Sequence, residues 1–186
     1  MPELTDLHAT AMGEFDRRVR AVGTADWALA TPCADWDVHD LVNHLVTEQL
    51  WVPHLLSGGR VEDLADELAG DNLGEAPAAT WAVASREARL AWLSPGALER
   101  TVHLSLGDTP GQEYLWQMTF DLTVHAWDLA RAVGADEELD AALVAALREW
   151  AGDRPLGPGP MFGAPAPVAA DAGPQDRLLA LTGRTP

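Results

Sequence analysis

The stretch TFDLTVHAWDLARAVG, residues 119–134, decides how the chain is read. Leu122 and Leu129, with Met118 just upstream, recur at helical spacing and mark a face turned toward a core. Gly134 follows the last periodic residue, where helices commonly end in a left-handed turn. Asp121 and His125 interrupt that stripe four residues apart, on the same side and one turn from each other. A buried carboxylate is costly unless it is paired, hydrogen-bonded or bound to a metal. The helix therefore predicts a site as well as a core.

Working outward, this helix begins near Gln112, and its inward face carries Tyr114, Met118, Asp121, Leu122, His125 and Leu129. A second long helix is predicted within TPCADWDVHDLVNHLVTEQLWVPHLLSGG, residues 31–59. Asp37 can cap it, Asp40 stands in the capping-box position, and Trp36 can staple onto Leu41. It runs to about Leu56 and stops at Gly58 and Gly59, with Pro53 bending its last turn. The face through Leu41, His44, Leu45, Glu48, Trp51, Val52 and Leu55 turns His44 and Glu48 inward. His39 falls on the other side and His54 at the margin.

Further helices are predicted over 5–22, with Thr5 as cap and Gly23 as stop, over 78–93, and over 139–150. Residues 60–76 read as an acidic connection with a turn or two of helix near 61–68. RTVHLSL followed by GDTPG reads as a short hairpin. In residues 153–174, ten of twenty-two are Pro or Gly, which predicts an irregular strap before a short helix over 174–182. The fold class is all-α: a four-helix bundle with a short hairpin and a Pro/Gly-rich C-terminal strap. One domain over 1–186 is expected, with 153–186 forming the strap and its short helix.

Composition narrows the partners. Twelve Lys and Arg against twenty-nine Asp and Glu give a formal charge of -17. No basic stripe is left for a nucleic-acid backbone or an anionic membrane surface. The single cysteine, Cys33, excludes an intramolecular disulfide and a cysteine-based zinc finger. The first residues lack an apolar signal core, and no run of eighteen apolar residues occurs, so a soluble cytoplasmic protein is expected.

Two long helices thus each present a histidine and a carboxylate to what reads as one interior. Metal ligation by His44, Asp121 and His125 would account for all three. Three protein ligands with one open position is the arrangement of a catalytic zinc site. The same spacing also suits satisfied core histidines and an Asp–His bond that orients a helix. Glu48 reads as a carboxylate orienting a ligand or lining the rim, and Trp127 as a pocket wall. Asp128 is read as solvent-facing rather than capping a neighbour, and Arg131 as solvated rather than meeting an anionic substrate. Cys33 is read as a small buried residue before a cap rather than a nucleophile.

Taken together, TPCADWDVHDLVNHLV, DLTVHAWDLARAVGAD and PQDRLLALTGRTP resemble the DinB-like superfamily. More closely they resemble the mycothiol-dependent maleylpyruvate isomerase N-terminal-domain group, over nearly the whole chain. That resemblance implies a four-helix bundle holding a divalent metal, usually zinc, between the second and fourth long helices. Its ligands fall on His44, Asp121 and His125, with Asp121 where the isomerase has Glu. Nickel or iron also suits two histidines and a carboxylate. The family's open metal position implies a low-molecular-weight thiol such as mycothiol, activated as thiolate.

The expected function is a zinc-dependent, thiol-using transferase or isomerase acting on a small electrophilic molecule. A non-catalytic metal-binding protein and a metal hydrolase using bound water are the alternatives. The isomerase has a second domain that helps bind its dicarboxylate, where this chain offers the strap and a short helix. That speaks against maleylpyruvate itself. Many bundles of this type pair, which leaves a homodimer open.

Overall fold

Local signals set the helices that carry the site. In the computed structural model, which describes residues 2–152 and 162–186, helix α1 spans Leu4–Val19. It starts earlier than Thr5 predicts: the Glu3 carbonyl accepts the amides of Asp6 and Leu7, so Thr5 lies inside the first turn. Leu7, Ala11, Phe15 and Val19 are buried as the spacing requires. Helix α2, Val38–Leu56, opens on the full capping box. The Asp40 amide donates to Asp37 Oδ1 at 2.9 Å and the Asp37 amide to Asp40 Oδ2 at 3.3 Å. Such a cap contributes about 1 kcal/mol and fixes where the helix starts, while burial of Leu41, Leu45 and Val52 sets which way its face turns.

A single short turn, α3 (Val61–Leu64), breaks the acidic connection before α4 (Pro77–Trp92). The hairpin is present. β1 (Thr101–Leu104) pairs antiparallel with β2 (Gly107–Pro110), Thr101 opposite Pro110 and Leu104 opposite Gly107. Helix α5, Gly111–Val133, follows at once. Its first amides donate to Arg100 and Leu98 carbonyls at 2.7 and 2.9 Å. A Cβ on Gly111 would stand 2.3 Å from the Ala97 carbonyl oxygen, so only glycine lets α5 begin there. Gly134 ends it in the left-handed conformation, φ 67° and ψ 30°.

Helices α1, α2, α4 and α5 form the bundle, in the cyclic order α1, α5, α2, α4. Phe15 and Trp81 meet edge to face at the centre, ring centroids 4.7 Å apart, each burial contributing roughly 1.5–3 kcal/mol. The buried Arg18 ties the end of α1 to the chain beyond α5, donating to the Asp136 carbonyl at 2.9 Å and pairing with Glu14. α5 differs from the one-faced helix that its stripe predicts. From Phe120 to Ala130 all but Asp121 are buried, because α1, α2 and the hairpin cover it from different sides. Buried Thr119 and Thr123 satisfy their hydroxyls on the carbonyls one turn back, at 2.6 and 2.7 Å.

The chain divides into two compact units, one through Asp136 and one from Glu137. The second holds α6 (Ala141–Ala151), capped by Asp140, and α7 (Pro174–Ala180). Of the strap, 153–161 lie outside the described residues. Its remainder is tied to α7 by Ala166 N–H to the Ala180 carbonyl at 2.9 Å and by Arg177 to the Ala170 and Ala172 carbonyls. Among the described residues no helix is long and apolar enough to cross a membrane.

Candidate metal centre

The buried face of α2 turns His44 toward α5, and helical spacing puts Asp121 and His125 on consecutive turns facing it. Asp121 uses both oxygens: Oδ2 stands 3.2 Å from His44 Nε2, and Oδ1 3.2 Å from His125 Nε2. The imidazoles meet at 76°, centroids 5.3 Å apart. The side chains run from a half-open rim at His44, 29% exposed, to a nearly closed floor at His125, 7%. One donor atom from each of the three lies within 4.8 Å of the others.

These donors suit a divalent ion. Ligand atoms at zinc distances and tetrahedral angles stand roughly 3.4 Å from one another, close to the 3.2 Å spacings here. Two imidazole nitrogens and a carboxylate are borderline donors of the kind zinc takes, and three protein ligands are the number that catalytic zinc sites use.

Electrostatics favour the charged pair when the ligands have only each other. Burial pushes the Asp121 carboxyl up, but the charges of His125 and His44 and their hydrogen bonds hold it well below the usual range. Burial pushes the His125 imidazole down, yet Asp121 foremost, then hydrogen bonds to Asp128 and Cys33, raises it well above its ordinary value. Glu48, one turn beyond His44, is raised by burial, with His44 and His125 opposing and Asp121 adding to the shift. Burial, then the charges of Glu48 and Asp121, also push the Tyr114 phenol well up. The field thus joins Glu48 and Tyr114 to the three donors.

The structure corrects the reading of Asp128. It is fully buried, and its Oδ2 lies 3.0 Å from His125 Nδ1 and 3.2 Å from Cys33 Sγ. A charge on a helix is normally assigned to water, but this part of α5 has almost no watered side. Cys33 is half-buried, its sulfur 3.6 Å from His125 Nδ1. Trp36, read as a staple, stands against both imidazoles, ring centroids 4.9 Å from His44 and 5.9 Å from His125. One turn supplies both residues. Thr31 N–H donates to the Trp36 carbonyl and Trp36 N–H to the Cys33 carbonyl, while Asp35 takes φ 67°. The available signals were local: Asp128 stands three residues after His125, and Cys33 closely precedes the cap.

Trp127 is buried, with the Arg131 guanidinium carbon 4.5 Å from its ring centroid. Two residues beyond His125, it lies about 200° around the helix. His39 faces Asp71 at 3.6 Å, and His54 faces Asp63 at 3.3 Å. Neither belongs to the centre.

Comparison with known proteins follows the same outline. Residues 8–130 match the family model for the mycothiol maleylpyruvate isomerase N-terminal domain. Two Mycobacterium tuberculosis proteins, Rv0738 and MT0763, both described as uncharacterized, are each 34% identical over 186 residues, covering 96% of either chain. The crystal structure of the mycothiol-dependent maleylpyruvate isomerase superposes with TM-score 0.61 at 19% identity, over 78% of this chain and 67% of that one. A variant of that isomerase with one histidine replaced by alanine gives 0.60 at 17%, with the same coverage. At these identities the solved structures establish the fold.

Proposed function

The chain belongs to the mycothiol maleylpyruvate isomerase N-terminal domain family, and on that premise we propose that it is a metal-dependent, thiol-using transferase or isomerase of a small electrophilic molecule. One observation carries the reading: His44, Asp121 and His125 converge from two helices with donor atoms at ligand spacing, His44 being the most exposed of the three. The thiol is proposed from the solved relative, which is described as mycothiol-dependent. Zinc is the metal proposed, with nickel or iron(II) suited to the same donors.

A divalent ion held by His44, Asp121 and His125 would supply Lewis acidity, lowering a thiol's pKa so that it ionises near neutral pH. The chain's own residues do the rest. Asp121 bridges the two histidines and sets their separation. His44 forms the rim, so an incoming small molecule meets that side first. Trp36 lies against both rings and gives the opening an apolar wall, which excludes water on one side. Glu48 and Tyr114 lie in the same field, and burial pushes the pKa of each upward.

The test is elemental analysis of the purified protein, followed by assays of the zinc-loaded form with a panel of thiols and electrophiles. Turnover requiring both zinc and thiol is the expected result. A fully zinc-loaded protein inert across the panel would remove the enzyme reading, and turnover with zinc but no thiol would make it a hydrolase.

A further inference from the structure

Behind His125, on the side away from His44, lies a second set of contacts. Asp128 Oδ2 receives two neighbours at once, His125 Nδ1 at 3.0 Å and Cys33 Sγ at 3.2 Å. An ionised carboxylate only accepts hydrogen bonds, so both neighbours are the donors. A hydrogen on Nδ1 leaves the Nε2 lone pair directed at the Asp121 and His44 side, which is the tautomer a metal ligand needs. The sulfur faces the carboxylate as the S–H donor of that contact. It is itself held by its turn. Cys33 N–H donates to Thr31 Oγ1 at 3.1 Å, and the Cys33 carbonyl accepts from Thr31 Oγ1 at 3.3 Å and from Trp36 N–H at 3.2 Å.

We propose that Asp128 and Cys33 are positioning residues for His125: Asp128 fixes its tautomer and ring plane, and the Cys33 thiol fixes the carboxylate. The assignment rests on the metal-centre reading of His44, Asp121 and His125. Three features support it beyond the distances. Asp128 is fully buried, so its charge needs partners of this kind to persist. It lies three residues from His125 on one rigid helix, so the contact is built into the backbone. The loop carrying Cys33 also carries Trp36, which ties the floor of the site to the wall over its opening.

The experiment compares zinc-loaded wild type with Asp128→Asn, Cys33→Ala and Cys33→Ser. Zinc affinity is read by competition with a chromogenic chelator, and the His125 ring nitrogens by NMR. Wild type should show a hydrogen on Nδ1 with Nε2 bound to zinc. Asp128→Asn should bind zinc about 10–100-fold more weakly, with a displaced Nδ1–H signal. Cys33→Ala should shift both readouts by less in the same direction, and Cys33→Ser should restore them because its hydroxyl still donates. Should Asp128→Asn fail to fold, the two Cys33 variants decide. Wild-type affinity and ring signals in Asp128→Asn, or in Cys33→Ala, would overturn the assignment while leaving the metal centre standing. A second zinc equivalent lost with Cys33→Ala would also overturn it, because Nδ1 would then be a ligand. A wild type that takes up no zinc overturns the metal centre and this assignment together.

Discussion

His8 and His125 are both buried, yet their surroundings push their imidazoles in opposite directions. His8, on α1, stands edge-on to Trp92 with ring centroids 6.2 Å apart. Neither of its ring nitrogens finds a hydrogen-bond partner among the described residues. Burial, with the Arg89 charge adding, pushes its pKa down to about 3. His125 suffers the same burial, but Asp121 and Asp128 flank its two nitrogens and it is raised well above its ordinary value. Desolvation always opposes charging an imidazole; the facing carboxylates decide whether it is overcome. A buried histidine without them is packing, whereas one between two of them is equipped to hold an ion.

The sharpest way to break that contrast is to remove each ring in turn. His125→Ala and His44→Ala should each lose the bound metal, and His8→Leu should keep it, read by elemental analysis of purified protein. Undiminished metal in the first two would sink the centre. Next in size, Asp121→Asn in metal-free protein should move the His125 titration down toward that of His8, followed by NMR of the ring. A titration that stays where it was would mean that Asp128 alone sets the shift.

The third test concerns His8 and pH. Its folded pKa, about 3, lies below the ordinary 6.5 or so of an unfolded chain. Above the unfolded value neither state binds the proton, so there is no effect. As pH falls through it, the unfolded state takes a proton that the folded state refuses, and stability is lost by about 1.4 kcal/mol per pH unit until roughly pH 3. Wild type should therefore lose about 3 kcal/mol more than His8→Leu between pH 6.5 and 4. Denaturant titrations with a chelator present would measure this, and parallel pH curves would refute it.

The same contrast explains what the sequence could disclose. His44, Asp121 and His125 each interrupt an apolar stripe, and interrupted periodicity is visible in one chain. The capping box at Asp37 and the glycine at the end of α5 are local and equally visible. Asp128 escapes the sequence because the rule that helix charges face water presumes a watered face, and α5 lies between α1, α2 and the hairpin. Cys33 and Trp36 reach the site through a turn whose left-handed Asp35 and Thr31 hydrogen bonds leave no period to read. The His8 position, by contrast, lies one residue off the Leu7–Ala11–Phe15 stripe, and nothing local distinguishes a buried imidazole from a marginal one there.

The smallest effect tests whether the partners of His125 end at Asp128. Trp127 lies on the far side of α5 from the donors, fully buried, and the exposed Arg131 guanidinium covers its ring at 4.5 Å. A cation over an indole at such a place contributes about 0.5–1 kcal/mol. Arg131→Ala should cost that much in denaturant unfolding and leave zinc affinity and the titrations of His8 and His125 where they were. If zinc affinity falls along with stability, the packing behind Trp127 reaches the ligand turn through the helix. Trp127 would then count among the groups that make His125 differ from His8, and the contrast would no longer rest on the two carboxylates alone.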